Sequence, residues 1–182
     1  MLNIFLQIDK DLFNFIYGLP HNIVFNYFFS FLSGIGTWGL VWFLIMIALV
    51  IWEEIKDRRE LFSLVIGLFV STLSVDVFLK NFVKRARPDV LNQIPVMFFG
   101  HASTYSFPSG HATLAFTAAY ILSKKHKRWA KFYYILAFLI AFSRIYLGYH
   151  YPSDVVTGAI LGLVIGFVSL KISALFFPKA TS

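Results

Sequence analysis

The sequence predicts an all-α, polytopic membrane protein, and three observations lead to this prediction. Hydrophobic residues make up 58% of the 182 residues and charged residues only 14%, whereas soluble globular domains have about 45–50% and about 25%. Several apolar stretches approach the roughly 20 residues that a helix needs to cross a bilayer. Basic residues cluster between these stretches. The length suits one domain, so we expect a single membrane-embedded unit over residues 1–182.

The first 20 residues predict an amphipathic helix that lies in the membrane interface. Polar residues recur there at helical spacing, opposite a set of apolar residues. The interruption Asp9-Lys10-Asp11 and the lack of a basic n-region argue against a cleaved signal peptide. The polar set is Asn3, Gln7, Lys10 and Asn14, and the apolar set is Phe5, Leu12, Phe13 and Ile16.

Five clear transmembrane helices and a sixth, shorter segment follow. The shorter segment, Asn22–Phe31, comes after Pro20 and ends before Ser33-Gly34-Ile35-Gly36, which predicts a half-span or the first part of a kinked helix. Polar ends at membrane depth are tolerated where protein covers them. The five clear spans are Thr37–Trp52, Leu61–Leu79, Ala112–Ser123, Phe132–Leu147 and Val155–Phe177.

The basic loops predict the orientation, because loops rich in Lys and Arg stay in the cytoplasm. If successive spans alternate in direction, three basic clusters share one face of the membrane. The opposite, extracytoplasmic face then carries residues 80–107, residues 144–154 and the Gly34 region. We therefore expect a multi-pass protein of a bacterial inner membrane. The clusters are Lys56, Arg58 and Arg59; Lys124, Lys125, Lys127, Arg128 and Lys131; and Lys171 and Lys179.

Three segments on the extracytoplasmic face carry unusual residues for membrane depth, where ionisable side chains are expensive and mark sites. The segments are Lys80-Asn81-Phe82-Val83-Lys84-Arg85-Ala86-Arg87-Pro88, Pro108-Ser109-Gly110-His111, and Ser143-Arg144-Ile145-Tyr146-Leu147-Gly148-Tyr149-His150-Tyr151-Pro152-Ser153-Asp154. A helical bundle can bring all three together, because each falls at the end of a span.

These residues suit a tetrahedral oxyanion. Lys80, Arg87 and Arg144 are cations, and an Arg fork matches phosphate in a bidentate manner. Ser109 is a good N-cap, and Gly110 lets a ligand approach the free N–H groups at the helix start.

Two histidines and an aspartate complete the predicted site. An Asp four residues after His150 can hold one imidazole N–H, which leaves the other nitrogen free as a nucleophile. His111 is a candidate proton donor. The three segments together therefore predict a phosphate pocket with a nucleophile and an acid.

The three segments resemble the signature of the type-2 phosphatidic acid phosphatase family, which shares its site with vanadium haloperoxidases. That signature is Lys, six residues, Arg-Pro; Pro-Ser-Gly-His; and Ser-Arg, five residues, His, three residues, Asp. Every specified position is present here between Lys80 and Asp154.

The resemblance implies a mechanism and a role for each matching residue. His150 would attack phosphorus and form a phosphohistidine, with Asp154 orienting it, and His111 would protonate the leaving oxygen and then activate water. The phosphate-binding residues implied are Lys80, Arg87, Ser109, Gly110 and Arg144. Phosphoryl transfer depends mainly on positioning and on neutralising charge, which such a set supplies.

Some residues near the motifs invite further predictions. Thr72, Asp76, Lys80 and Lys84 recur every four residues, so Asp76 and Lys84 are candidate supporting residues around Lys80. Asp76 either orients Lys80 or only neutralises it. Lys84 and Arg85 add positive charge, which either favours a head group with more than one phosphate or only reflects the placement of topogenic charge.

A glycine repeat marks the last span. Gly158, Gly162 and Gly166 have four-residue spacing, which predicts close helix packing rather than dimerisation.

The leading hypothesis is a metal-independent lipid phosphatase without a cofactor, since few of the nine acids lie near the site. The expected partners are the bilayer and a membrane lipid phosphate, and no nucleic acid. The resemblance implies undecaprenyl diphosphate, phosphatidylglycerophosphate, phosphatidic acid or the 1-phosphate of lipid A as substrates. The alternatives are a lipid-to-lipid phosphotransferase with the same site and an inactive lipid-phosphate-binding protein, and the sequence leaves the oligomeric state open.

Overall fold

The computed structural model describes residues 2–52, 58–88 and 105–178. These residues form a helical bundle, which confirms the predicted fold class, and no strand occurs among them. The helices are α1 (Leu2–Tyr17), α2 (Ile23–Gly36), α3 (Leu40–Ile51), α4 (Arg58–Thr72), α5 (Lys80–Val83), α6 (Gly110–Lys125), α7 (Ala130–Tyr146) and α8 (Pro152–Phe176). Each of the five predicted spans coincides with one of these helices to within a few residues, except that α4 continues into α5.

Helices α4 and α5 are joined by a π-helical segment, Leu73–Leu79. The whole stretch Arg58–Val83 is long and apolar enough to cross a membrane. π-Turns inside α-helices are rare and frequently occur at functional sites. Here the π-helical segment directly precedes Lys80, the first residue of the first motif.

Helices α2 and α3 meet at a sharp break. Thr37–Gly39 forms one 3₁₀ turn, in which Trp38 and Gly39 have φ values of 55° and 72°. Two successive left-handed residues cannot continue an α-helix. Although the segment Ile23–Ile51 is long and apolar enough to span, it is therefore two helices at an angle, and the prediction of a kinked element is confirmed.

Helix α6 lies at the centre of the bundle, in contact with α4, α7 and α8. The glycines of α8 make the closest of these contacts possible. A Cβ atom at Gly158 or Gly162 would lie 2.6 Å from Ser109 O or 2.4 Å from Thr113 O, both in or next to α6. The predicted role of the glycine repeat in helix packing is confirmed within this chain.

Helix α1 packs against α7 and α8. Its predicted polar residues are exposed, but its apolar residues divide into two groups. Phe13 is buried beside Val155 and Ile145, whereas Phe5 and Leu12 are exposed. The helix is therefore anchored to the bundle on one side and leaves large apolar side chains available to lipid on another.

The end of the bundle away from the three motifs carries the basic loops. Glu60, at the start of α4, accepts a hydrogen bond of 2.7 Å from His126, which follows α6. Phe62 packs against Phe176 and Phe177 at the end of α8. The described residues of the first two basic clusters, Arg58 and Arg59 at the start of α4 and Lys124, Lys125, Lys127 and Arg128 around the end of α6, thus share one end of the molecule, as predicted.

Three segments meet the length and hydropathy of a membrane span: Ile23–Ile51, Arg58–Val83 and Pro152–Phe176. Helices α6 and α7 have 16 and 17 residues, shorter than the usual span, and α6 is largely covered by its neighbours. The number of transmembrane helices, five and a shorter sixth, stays a prediction.

Candidate active site

The three motifs meet at one end of the bundle. Lys80 begins α5, His111 lies in the first turn of α6, and Arg144 lies in the last turn of α7. Because successive helices run in opposite directions, these positions reach the same end. The motif residues of the site therefore lie up to 74 positions apart in the sequence, from Lys80 to Asp154.

His150 lies in the short connection between α7 and α8 and is only 2% exposed. Its Nε2 atom is 3.3 Å from the Arg87 guanidinium, and its Nδ1 atom is 3.6 Å from Asp154 Oδ2. Burial lowers the pKa of His150 well below its usual value, and the charges of Arg87, Arg144 and Lys80 lower it further. A neutral imidazole with Nε2 toward the cations is the form that a nucleophile requires.

Asp154 is fully buried in the first turn of α8. Its Oδ2 accepts a hydrogen bond of 2.9 Å from the Tyr151 backbone N–H, and its Oδ1 accepts one of 2.7 Å from Arg85. The structure brings the carboxylate to the Nδ1 side of His150, as the sequence predicted, although the 3.6 Å separation exceeds a hydrogen bond.

Arg87 and Arg144 are held by backbone and side chains of the same site. Arg87 donates to the carbonyl oxygen of Tyr149 at 2.6 Å. Arg144 is 5% exposed, bonds to the hydroxyl of Ser33 and stacks over the ring of Tyr149 at 4.0 Å. Its own carbonyl accepts from the Tyr149 and His150 backbone N–H groups. Arg87, Arg144 and His150 are therefore joined through hydrogen bonds to the backbone between α7 and α8.

Lys80 is 8% exposed and donates to Asp76 at 2.6 Å. Asp76 is more accessible, with 44% of its side chain exposed. The predicted contact between the two residues is present. An ion pair both neutralises and orients the ammonium, so the contact agrees with either predicted role of Asp76.

Ser109 and Gly110 begin α6, as the sequence predicted. The Ser109 hydroxyl accepts from the Ala112 backbone N–H at the N-cap, and the Ser109 N–H donates to the Asp154 carbonyl at 3.0 Å. At Gly110 a Cβ atom would meet Val75 Cγ1 at 3.6 Å and Asp76 Oδ1 at 3.8 Å. These are ordinary contacts, so packing within the protein does not require glycine at this position.

His111 faces the break between α2 and α3. Its Nε2 atom is 3.2 Å from the carbonyl oxygen of Ser33 and 3.3 Å from the Thr37 hydroxyl. These contacts favour a proton on Nε2, because the carbonyl can only accept. Ser33 contacts His111 through its carbonyl oxygen and Arg144 through its hydroxyl, so His111 lies on the same side of the site as Arg144.

Two predictions for the residues beside the first motif need correction. Lys84 lies just after the end of α5 with φ 51° and is exposed, so the four-residue stripe ends at Lys80. The π-helical segment and the helix end break the periodicity on which that prediction depended. Arg85 is paired with Asp9 and Asp154 at 2.6 and 2.7 Å, so its charge does not indicate a second phosphate.

Sequence reasoning missed several polar residues that complete the site. Ser33 and Thr37 contact Arg144 and His111, and Asp9 contacts Arg85. The small polar residues around Gly34 were a visible signal, since they interrupt an apolar stretch. Nothing in the sequence distinguished Asp9 from the other polar residues of an amphipathic helix.

The described part of the chain contains no group of three or more His, Asp or Glu residues arranged to hold a metal ion. Of the acids considered in the sequence analysis, residues 53, 54, 57 and 89 lie outside the described residues, as does most of the loop 89–107.

The fold and this arrangement define a class of membrane protein: a bundle of apolar helices with a buried histidine, a carboxylate and several cations at one end. The profile of the PAP2 superfamily matches residues 60–177, which is more than half of the chain. The chain therefore belongs to the PAP2 superfamily, as the resemblance implied.

Relatives and solved structures agree with this assignment. Undecaprenyl-diphosphatase BcrC of Bacillus subtilis is 28% identical over 93% of this chain and 86% of its own length. The crystal structure of LpxE from Aquifex aeolicus has a TM-score of 0.70 and 30% identity, covering 89% of this chain and 94% of that one. A PAP2-type phosphatidylglycerolphosphate phosphatase from Bacillus subtilis has a TM-score of 0.73 and 26% identity, covering 98% and 90%.

Proposed function

We propose that this protein is an integral membrane lipid phosphatase that removes the terminal phosphate of a lipid phosphate or diphosphate through a phosphohistidine at His150. The observation that carries the proposal is the setting of that imidazole. Nδ1 is directed toward Asp154, and Nε2 lies next to Arg87 within the field of Lys80 and Arg144. A phosphoryl group bound by these cations would lie within reach of Nε2.

The first step forms the Nε2–P bond and breaks the bond from phosphorus to the lipid oxygen. The leaving oxygen takes the Nδ1 proton of His111, which enters this step as an imidazolium. Since Nε2 of His111 is held by Ser33 O and Thr37 Oγ1, Nδ1 is the nitrogen left for this transfer. The Asp154 carboxylate stabilises the positive charge that His150 gains.

The second step returns the site to its starting state. His111, now neutral, takes a proton from water, and the hydroxide attacks phosphorus while the P–Nε2 bond breaks. The guanidinium groups, the Ser109 hydroxyl and the Gly110 amide hold the equatorial oxygens in both steps. Such preorganised donors supply most of the rate enhancement in phosphoryl transfer.

The substrate is an amphiphile because the site lies at the end of a membrane bundle, where head groups are found. The names of the similar proteins cover undecaprenyl diphosphate and phosphatidylglycerolphosphate, so we propose the shared class, a lipid phosphate or diphosphate. Phosphatidic acid and lipid A 1-phosphate belong to the same class.

We further propose that the site faces the extracytoplasmic side of an inner membrane, with the basic loops in the cytoplasm. The chain lacks cysteine, so single cysteines can report the orientation. Lys84→Cys marks the end with the motifs, and Lys127→Cys marks the opposite end; both positions are exposed. In intact cells an impermeant maleimide should label only the first, and the reverse pattern would place the site in the cytoplasm.

The activity is tested with purified protein in detergent. Phosphate release is measured from undecaprenyl diphosphate, phosphatidylglycerophosphate, phosphatidic acid and lipid A 1-phosphate. At least one substrate should be hydrolysed, and His150→Ala should abolish that hydrolysis. The matched control is His126→Gln at the opposite end, which retains a donor for Glu60 and should remain fully active.

The intermediate is tested by rapid quenching in alkali with a labelled phosphoryl group, since phosphohistidine survives base and is lost in mild acid. Label should remain on the wild-type protein and be absent from His150→Ala. Transfer of label to an added acceptor lipid in preference to water would instead identify a phosphotransferase. Full turnover without His150 would remove the proposed mechanism.

A further inference from the structure

Helix α1 reaches the active site through one buried acid. Asp9 is 5% exposed, although it lies on a helix whose other polar residues are exposed. Its carboxylate accepts hydrogen bonds from the Ser153 backbone N–H at 2.8 Å, the Ser153 hydroxyl at 2.6 Å and the Arg85 guanidinium at 2.6 Å. A buried carboxylate with three donors is a specific contact, not a solvated surface charge.

Arg85 is shared between two carboxylates. Its NH1 group donates to Asp154 Oδ1 and to the Ser153 hydroxyl, each at 2.7 Å, and its NH2 group donates to Asp9 Oδ2. The guanidinium carbon lies 4.2 Å from the centre of the Tyr151 ring. The guanidinium therefore makes a contact with only one oxygen of Asp154.

Because Arg85 contacts only Oδ1 of Asp154, the second oxygen, Oδ2, is left for other groups of the site. A free guanidinium next to a carboxylate prefers two parallel hydrogen bonds, which would occupy both oxygens. Because Asp9 holds NH2, Arg85 binds Oδ1 alone, and Oδ2 stays directed toward the Tyr151 N–H and His150 Nδ1. The contact from α1 therefore bears on the orientation of the carboxylate through Oδ1, beside the Tyr151 N–H that holds Oδ2.

We propose that Asp9 is a positioning residue for phosphoryl transfer: by holding Arg85 between two carboxylates, it keeps Asp154 Oδ2 turned toward the nucleophilic histidine. The inference rests on the proposed function of His150. Asp9 lies outside residues 60–177, which the family profile matches, and outside all three motifs.

A structural tether is the competing explanation, since Asp9 also binds Ser153 at the start of α8. Asp9→Asn separates the two roles. The amide oxygen can still accept from the Ser153 N–H, and the amide NH₂ group can donate to the Ser153 hydroxyl, but the NH₂ group cannot accept from Arg85. Arg85 is then free to bind both oxygens of Asp154. A positioning role predicts a slower chemical step with unchanged substrate binding.

The experiment measures kcat and KM of Asp9→Asn beside Asp11→Asn in detergent. Asp11 lies two residues further on the same helix and is exposed, so its substitution makes the same charge change. We expect kcat to fall about tenfold in Asp9→Asn, with KM changed less than about twofold. A loss of this size is typical when a residue that positions a catalytic group is removed. Asp11→Asn should match the wild type. Equal kcat values for the two variants would overturn the inference.

A double-mutant cycle keeps the test decisive where Asp9→Asn also lowers the thermal midpoint. In the Arg85→Gln background, a positioning role through Arg85 predicts no further loss of kcat from Asp9→Asn. A tether predicts the same loss as in the wild-type background, and that result would overturn the inference.

The variant His150→Ala is measured in parallel. If it retains turnover, the proposed function fails. If it is inactive while Asp9→Asn has normal kcat, only the role of Asp9 fails.

Discussion

The two ends of the bundle use the same types of residue in opposite ways. At the motif end Lys80, Arg144 and His150 are buried at 8%, 5% and 2% exposure, each with polar or charged neighbours. At the other end Lys124, Lys127 and Arg128 are exposed. Burying a cation is costly unless partners compensate, so the buried set is evidence of a site, whereas the exposed set is typical of topogenic loops. Residue type alone does not separate the two; burial does.

The largest expected effect concerns the arginines at the two ends. Arg144→Lys keeps the charge but loses the planar fork, and we expect kcat/KM to fall about 100-fold, the loss typical for one preorganised donor. Arg128→Lys, at the basic end, should change it by less than about twofold. Kinetics in detergent with a lipid phosphate measure both. Similar losses of kcat/KM in Arg144→Lys and Arg128→Lys would mean that the arginines at the two ends of the bundle do not differ in their contribution to catalysis.

A glycine comparison separates packing from chemistry. Gly162→Ala should destabilise the protein by about 1–3 kcal/mol, because its Cβ would lie 2.4 Å from Thr113 O. Gly110→Ala should leave the thermal midpoint nearly unchanged, since its Cβ meets nothing closer than 3.6 Å. The thermal midpoint in detergent checks both expectations.

Gly110→Ala should nevertheless lower kcat/KM about tenfold, because the added methyl lies where a phosphoryl oxygen approaches the backbone N–H. An unchanged kcat/KM with a folded protein would show that the start of α6 does not contact substrate.

Chelation should have little effect on turnover. The predicted mechanism uses arginine, lysine and backbone N–H groups where other phosphatases use metal ions. Phosphate release in excess chelator should equal that of the untreated enzyme to within about 20%, a margin that reflects assay error rather than chemistry. Turnover that is abolished by the chelator and restored by a divalent cation would contradict the prediction.

The smallest expected effect is a shift in the titration of His150. Burial and nearby cations lower its pKa, so it should stay neutral as the pH falls through the ordinary histidine range near about 6.5. Removing a cation favours the imidazolium, so Arg87→Gln should raise the pKa. Histidine NMR in micelles, with the resonance assigned by its loss in His150→Asn, measures both values. An ordinary pKa in the wild type, unaffected by Arg87→Gln, would be inconsistent with the buried site.

Much of the fold could be predicted because a bilayer imposes simple rules on a sequence. The apolar lengths predicted the helices of five spans, and the kink after Asn22–Phe31 followed from the glycines near Gly34. The prediction was wrong for Lys84, since helical spacing does not reveal a π-helical segment or a helix end. Arg85 was read as a free charge because its partner lies 76 positions away.

The sequence by itself determined the chemistry: three motifs carry the histidines, the carboxylate and the cations, and their places at span ends require a shared face. Only the tertiary structure decided which residues outside the motifs support them. Ser33, Thr37 and Asp9 acquire their roles through contacts between helices that the chain brings together from far apart. Periodicity reports which side of a helix is polar, but the partner of that side depends on how the helices pack, and packing is a property of the whole bundle.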